Sequence, residues 1–144
     1  MTEKQIQLVK ESWAQVVPIS ETAGMLFYNR LFEVAPMVRS MFGDDLRPQA
    51  RKLMSMLSMI VSKLDRLDTL LDEIKMLAGR HDKYGARPEH YEVVGNCLLW
   101  TLNKGLGDKW NNETEEAWVR AYGILSSAMI QNQNFGEEQA RKAS

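Results

Sequence analysis

Two histidines, His81 and His90, are the side chains of this sequence best suited to bind a metal or transfer a proton. His81 follows Leu70, Ile74 and Leu77 at steps of four, three and four, which places its ring on the apolar face of a helix. A buried imidazole must satisfy its nitrogens, most simply with a backbone carbonyl. The alternative is that this ring binds a metal.

Coordination of a metal by protein side chains alone needs three or four ligands. One cysteine, two histidines and scattered carboxylates show no spacing typical of such a site. A single inward histidine can still bind a metal if a cofactor supplies the other ligands, as haem does with its pyrrole nitrogens. The residues alone therefore leave two interpretations of His81 open, a satisfied core histidine and an axial haem ligand.

Other catalytic patterns are missing from the sequence. It contains no glycine-rich phosphate loop and no G-x-S-x-G motif. Cys97 lies among apolar residues in a predicted helix, which indicates a small core residue and not a nucleophile. We interpret the nine methionines as packing residues.

Length and composition predict one globular domain. The chain has 144 residues, of which 44% are hydrophobic and 26% charged, with a net charge of −1. This balance makes nucleic acid an unexpected partner. The single cysteine and the lack of a signal or long apolar stretch indicate a cytoplasmic protein with no membrane partner.

The apolar residues recur at three- and four-residue steps, which is typical of helices. We predict helices over residues 3–17, 20–35, 46–65, 69–84, 88–106 and 113–133, and a short helical turn from Pro36 to about Phe42 and Gly43. The predicted N-terminal caps are Thr2 with Gln5, Asp44 with Asp45, Asp68, and Asn112 with Glu115. The fold class is all-α, with a globular unit over 1–135 and a polar tail over 136–144.

Two small residues predict a close helix crossing beside a pocket. Gly24 lies one turn before Tyr28, and Ala50 follows Gln49, so a close crossing here brings Tyr28 and Gln49 together. The alternatives are that Tyr28 is a core aromatic whose hydroxyl bonds to backbone, and that Gln49 faces solvent.

Several stretches, taken in order, resemble the globin domain of bacterial flavohaemoglobins and their single-domain haemoglobin relatives. They are residues 26–32 with Pro36 and 41–42, then 49–53, 79–81, 87–91 and 117–123, within a similarity that runs from about residue 2 to 133. The resemblance implies a globin fold of about seven to eight helices packed around a haem pocket.

The resemblance also implies site residues. His81 would bind the iron of haem b (iron protoporphyrin IX), Phe42 would wedge against the haem, and Tyr28 and Gln49 would donate hydrogen bonds to a bound gas. Further haem contacts are expected from Leu53, Leu57, Leu77, Tyr91, Val94 and Tyr122.

The resemblance places Tyr91 and Gln133 on the proximal side of the haem, but only one of the two matches the family's residue. Tyr91 matches the tyrosine that the family places beside the histidine, but Gln133 stands where the family has a glutamate. A neutral amide makes the imidazole a weaker electron donor than a carboxylate would. His90 matches no family ligand, and we interpret it as a surface or propionate-side residue.

The resemblance implies tight, reversible binding of dioxygen, with carbon monoxide and nitric oxide as further ligands, in oxygen storage, oxygen scavenging or nitric oxide detoxification. The alternative is a nitric oxide dioxygenase that uses an external reductase, because flavohaemoglobins carry a reductase domain after the globin. A haem-free or sensor module is a third possibility.

Overall fold

The structure is a computed structural model that describes residues 1–84 and 86–132, apart from the side chains of 82–84. Its described residues form helices and no strand. The six α-helices are α1 (Glu3–Val16), α2 (Ser20–Val34), α3 (Arg47–Ser62), α4 (Leu71–Tyr84), α5 (Pro88–Leu106) and α6 (Asn112–Gln131). Short 3₁₀ helices cover Val17–Ile19, Pro36–Met41, Leu64–Leu70 and Gly107–Lys109. The all-α prediction is confirmed, with six α-helices in the described residues where seven to eight helices were predicted.

The first helix begins where the sequence predicts. The Gln5 backbone N–H donates to the Thr2 hydroxyl at 3.1 Å, and the Thr2 N–H donates to the Gln5 side-chain oxygen at 3.0 Å. The cap of α6 was predicted one residue too late, because the Asn111 side chain, not that of Asn112, accepts the Thr114 N–H at 2.9 Å.

The prediction of one helix over residues 46–65 was wrong at its end. Helix α3 stops at Ser62, and the backbone then changes to a 3₁₀ helix with a kink at Arg66, where φ is −139° and ψ is 49°. Asp68 lies inside this 3₁₀ segment instead of capping α4. Apolar steps of three and four suit both helix types, so the sequence pattern does not separate them. The predicted stop at Gly85 and the tail over 136–144 lie outside the described residues.

The core joins the first and last helices through two tryptophans. The Trp13 and Trp118 rings lie 5.9 Å apart between centroids. The Trp118 indole N–H donates to the Ser12 hydroxyl at 2.8 Å, and the Trp13 N–H donates to the Ser58 hydroxyl at 3.0 Å. Both indole groups thus have partners inside an apolar core. Cys97 is buried in the same core, as predicted.

Among the residues that the structure describes, no helix has the length and apolar character needed to cross a bilayer.

Helices α2 and α3 approach closely at Gly24 and Ala50, as the sequence predicts. A Cβ atom added to Gly24 would lie 2.9 Å from the Ala50 Cβ and 3.4 Å from the Ala50 carbonyl oxygen. Real Cβ atoms do not approach so closely, so only glycine fits at position 24 with the present crossing. This crossing sets the distance between Tyr28, on α2, and Gln49, on α3.

We expect Gly24→Ala to lower the free energy of unfolding by roughly 1–2 kcal/mol in urea denaturation, because overpacking outweighs the gain in helix propensity. Gly123→Ala on α6 is the matched control, since nothing lies within 4 Å of its added Cβ. Adding Ala50→Gly to the Gly24→Ala protein should cost less stability than adding it to the wild type. Equal stability of the two glycine-to-alanine variants would contradict the crossing as the cause.

Candidate functional site

One cavity of about 250 Å³ brings most of the predicted site residues together. It lies among α2, the Pro36–Met41 segment with Phe42 and Gly43, α3, α4 and α5. Its wall is mainly apolar, and Met41 and Gly43, which line it, are exposed, so the cavity reaches the surface there. The predicted residues that line it are Tyr28, Phe42, Gln49, Leu53, His81, Tyr91 and Val94.

His81, on α4, is held in one tautomer by its own helix. Its Nδ1 lies 2.8 Å from the Leu77 carbonyl oxygen, which can only accept a hydrogen bond. In the neutral ring Nδ1 therefore carries the proton and Nε2 carries the lone pair. The Leu77 carbonyl is thus the backbone partner that a core histidine needs. Its hydrogen bond with Nδ1 also leaves Nε2 unprotonated, as a metal ligand must be.

The ring of Tyr91 supports the His81 ring from α5. The two rings are stacked with centroids 6.3 Å apart and an interplanar angle of 22°. Tyr91 is buried, so this contact is shielded from solvent. Gln133, the predicted replacement of the family glutamate, lies outside the described residues.

Tyr122 positions Tyr91 through the backbone. The Tyr122 hydroxyl donates to the Tyr91 carbonyl oxygen at 2.6 Å, and a Cβ added to Gly95 would lie 2.6 Å from the Tyr122 ring. Burial raises the pKa of Tyr122, so this hydroxyl remains a protonated donor at neutral pH. The glycine lets α6 place this ring directly against α5.

Tyr28 belongs to a cluster of aromatic rings that α2 forms with Phe42. Its ring lies edge-on to Phe27 at 5.0 Å and to Phe42 at 5.4 Å between centroids, and 6.1 Å from Phe32. Tyr28 is only 3% exposed. Such edge contacts restrict the orientation of the phenol ring.

Arg39 is a positioning residue that the sequence analysis missed. Its guanidinium lies 5.0 Å from the centre of the Phe32 ring and donates to the carbonyl oxygens of Phe42, at 3.3 Å, and Gly43, at 3.0 Å. These contacts hold the segment that carries Phe42 into the cavity wall. An arginine three residues before a phenylalanine is too common a pattern to reveal this role.

Three of the residues predicted to contact haem do not line this cavity. Leu57 and Tyr122 line a separate space of about 20 Å³ in the core. The Leu77 side chain packs against a second core cluster that includes Leu70 and Ile74, although its carbonyl holds His81. The cavity wall also contains apolar residues that were not predicted to line it, among them Phe27, Leu31, Val38 and Val93. It includes His90 as well, which the sequence suggested to be a surface or propionate-side residue.

The cavity combines a mainly apolar wall with one histidine, His81, whose Nε2 can bind a metal. A mainly apolar wall would favour the porphyrin ring over water, and the His81 Nε2 would bind the iron of haem. In the described part of the chain, no group of three or more His, Cys, Asp or Glu side chains is arranged to hold a metal ion. The apolar wall and the His81 Nε2 are the features that fit haem.

The sequence model of the globin family matches residues 26–129. A flavohemoprotein of Rhodopirellula baltica is 32% identical over 97% of the chain, which covers 35% of that protein. The chain spans about a third of the length of the flavohemoproteins that it matches.

Solved structures show the same architecture. A bacterial globin from Campylobacter jejuni superposes with a TM-score of 0.84 at 25% identity, over 95% of this chain and 99% of that one. An engineered carbene transferase, built on a candidate nitric oxide dioxygenase of Rhodothermus marinus, superposes with a TM-score of 0.85 at 26% identity, over 100% of this chain and 99% of that one.

Proposed function

The chain belongs to the globin family of haem-binding proteins, and from this premise we propose that it binds dioxygen tightly and reversibly on haem b, in oxygen storage or scavenging or in nitric oxide detoxification. One observation carries the proposal. Tyr28, Gln49 and His81, which come from three different helices, line one cavity. Carbon monoxide and nitric oxide are the other ligands that this site would accept.

His81 would hold the cofactor. Haem supplies an iron that binds diatomic gases reversibly at the position not taken by the protein. The hydrogen bond from Nδ1 to the Leu77 carbonyl fixes the His81 ring and makes Nε2 a better electron donor. Stacking against Tyr91 further limits rotation of the ring.

Tyr28 and Gln49 would select the gas. A phenol hydroxyl and a side-chain amide can each donate a hydrogen bond, and bound dioxygen is more polar than bound carbon monoxide. At about 1–1.5 kcal/mol for each bond, the two donors favour dioxygen by roughly 100-fold. Tight binding with slow release suits storage or scavenging better than rapid delivery.

The apolar side chains of the cavity would exclude water from the bound gas. Phe42, Leu53 and Val94 contribute no polar atom to the wall beyond their backbone. A dry wall strengthens hydrogen bonds from Tyr28 and Gln49 and slows oxidation of the iron.

We also propose a cytoplasmic location, with which the free, buried thiol of Cys97 is compatible.

A nitric oxide dioxygenase is the second candidate function, and the similarity to a candidate dioxygenase from Rhodothermus marinus favours it. In this reaction, nitric oxide, dioxygen and one electron give nitrate. We propose that a reductase supplies the electron. Tyr28 and Gln49 would hold dioxygen while nitric oxide enters the cavity.

Substitution of Tyr28 by phenylalanine should speed release of dioxygen by roughly 10-fold, because one hydrogen bond is lost. Release of carbon monoxide should change far less, which makes it the internal control. Stopped-flow absorption of the oxy and carbonyl forms measures both rates. Release of dioxygen no faster than in the wild type would contradict the role of Tyr28.

The haem-free alternative has its own test. A purified protein with no haem band after reconstitution would favour a haem-free module.

Sustained turnover separates the second function from the first. We expect an oxygen-binding protein to convert one equivalent of nitric oxide and then stop in the ferric state. A dioxygenase should form many equivalents of nitrate when a flavin reductase and a nicotinamide cofactor are added. Nitrate measured against added nitric oxide decides between the two.

A further inference from the structure

His90 is a polar residue of the cavity wall to which the proposed function gives no role. It lies in the first turn of α5, is partly exposed, and lines the same cavity as His81. The other polar side chains of this wall belong to Tyr28, Gln49, His81 and Tyr91, and His90 is the second imidazole among them.

Hydrogen bonds with Arg87 fix the tautomer of His90. The Arg87 backbone N–H donates to the His90 Nδ1 at 3.0 Å, and the His90 backbone N–H donates to the Arg87 carbonyl oxygen at 2.9 Å. Because a backbone N–H can only donate, Nδ1 must be the acceptor. In the neutral ring the proton is therefore on Nε2.

The two imidazoles of the cavity are thus held in opposite tautomers. His81 faces a carbonyl through Nδ1, so its Nε2 has the lone pair that binds a metal. His90 faces an N–H through Nδ1, so its Nε2 is a hydrogen-bond donor. To bind a metal through Nε2, His90 would have to move its proton to Nδ1 and break the contact that begins α5.

We propose that His90 donates a hydrogen bond from Nε2 to a carboxylate of the haem and thereby holds that edge of the cofactor. The proposal rests on the proposed function. Haem b carries two carboxylates, which need solvent or donors, and His90 offers a donor on a partly exposed stretch of the wall. His90 is a positioning residue for the cofactor and not an iron ligand.

Two substitutions separate this role from the helix cap. Both glutamine and glutamate can accept the Arg87 N–H at the third position of a helix, so His90→Gln and His90→Glu should keep the start of α5. Glutamine also provides a donor toward the carboxylate, whereas glutamate presents a negative charge. Equal thermal unfolding of the two proteins without haem checks that the cap is retained in both.

The readout is the rate at which haem leaves the ferric protein for a scavenging apomyoglobin, followed by absorption. We expect His90→Gln to release haem within about 3-fold of the wild-type rate and His90→Glu to release it roughly 10-fold faster. The difference should vanish when the same proteins are reconstituted with the dimethyl ester of haem, which has no free carboxylate.

Equal release of haem from the two variants, or a difference that persists with the ester, would overturn the role of His90. A wild-type protein that takes up no haem, or that holds it without a histidine ligand, would overturn the proposed function and this inference with it. Loss of the role of His90 in a protein that holds haem through His81 leaves the proposed function intact.

Discussion

The hydrogen bond between the His81 Nδ1 and the Leu77 carbonyl is the interaction on which the site depends. At 2.8 Å it joins a ring nitrogen to an acceptor one turn earlier in the same helix, so α4 itself sets the tautomer. With the proton on the other nitrogen, Nε2 would have no lone pair for a metal. The stacked Tyr91 ring then limits the remaining freedom of the imidazole.

Two glycines let neighbouring helices bring the other site residues into place. Gly24 allows α2 to contact Ala50 on α3, and Gly95 accepts the Tyr122 ring against α5. In both places a β-carbon would occupy space that a neighbour fills. A larger side chain would therefore shift a helix and with it the residues that line the cavity. Tyr122 acts at a distance from the cavity, through the carbonyl oxygen of Tyr91.

The sequence predicted features that depend on local patterns. Apolar spacing predicted the helices and placed His81 on an inner face, and Gly24 with Ala50 predicted the close crossing. It did not predict which residues line the cavity where the result depends on rotation along a helix or on the backbone at a helix end. Steps of four residues rotate by about 40° each around a helix, so Leu57, two steps beyond Gln49, turns away from the cavity that Gln49 and Leu53 line. The contacts of Arg39 with Phe42 and of His90 with Arg87 join residues only three positions apart, but they depend on the backbone geometry at a helix end, for which the sequence has no periodic signal.

The most direct test of the account is the iron–histidine vibration of the ferrous protein in resonance Raman spectra. The wild type should show this band, His81→Gly should lose it, and added imidazole should restore it by occupying the space of the missing ring. His81→Gly protein that keeps the wild-type band without imidazole would contradict the account, because another residue would then bind the iron.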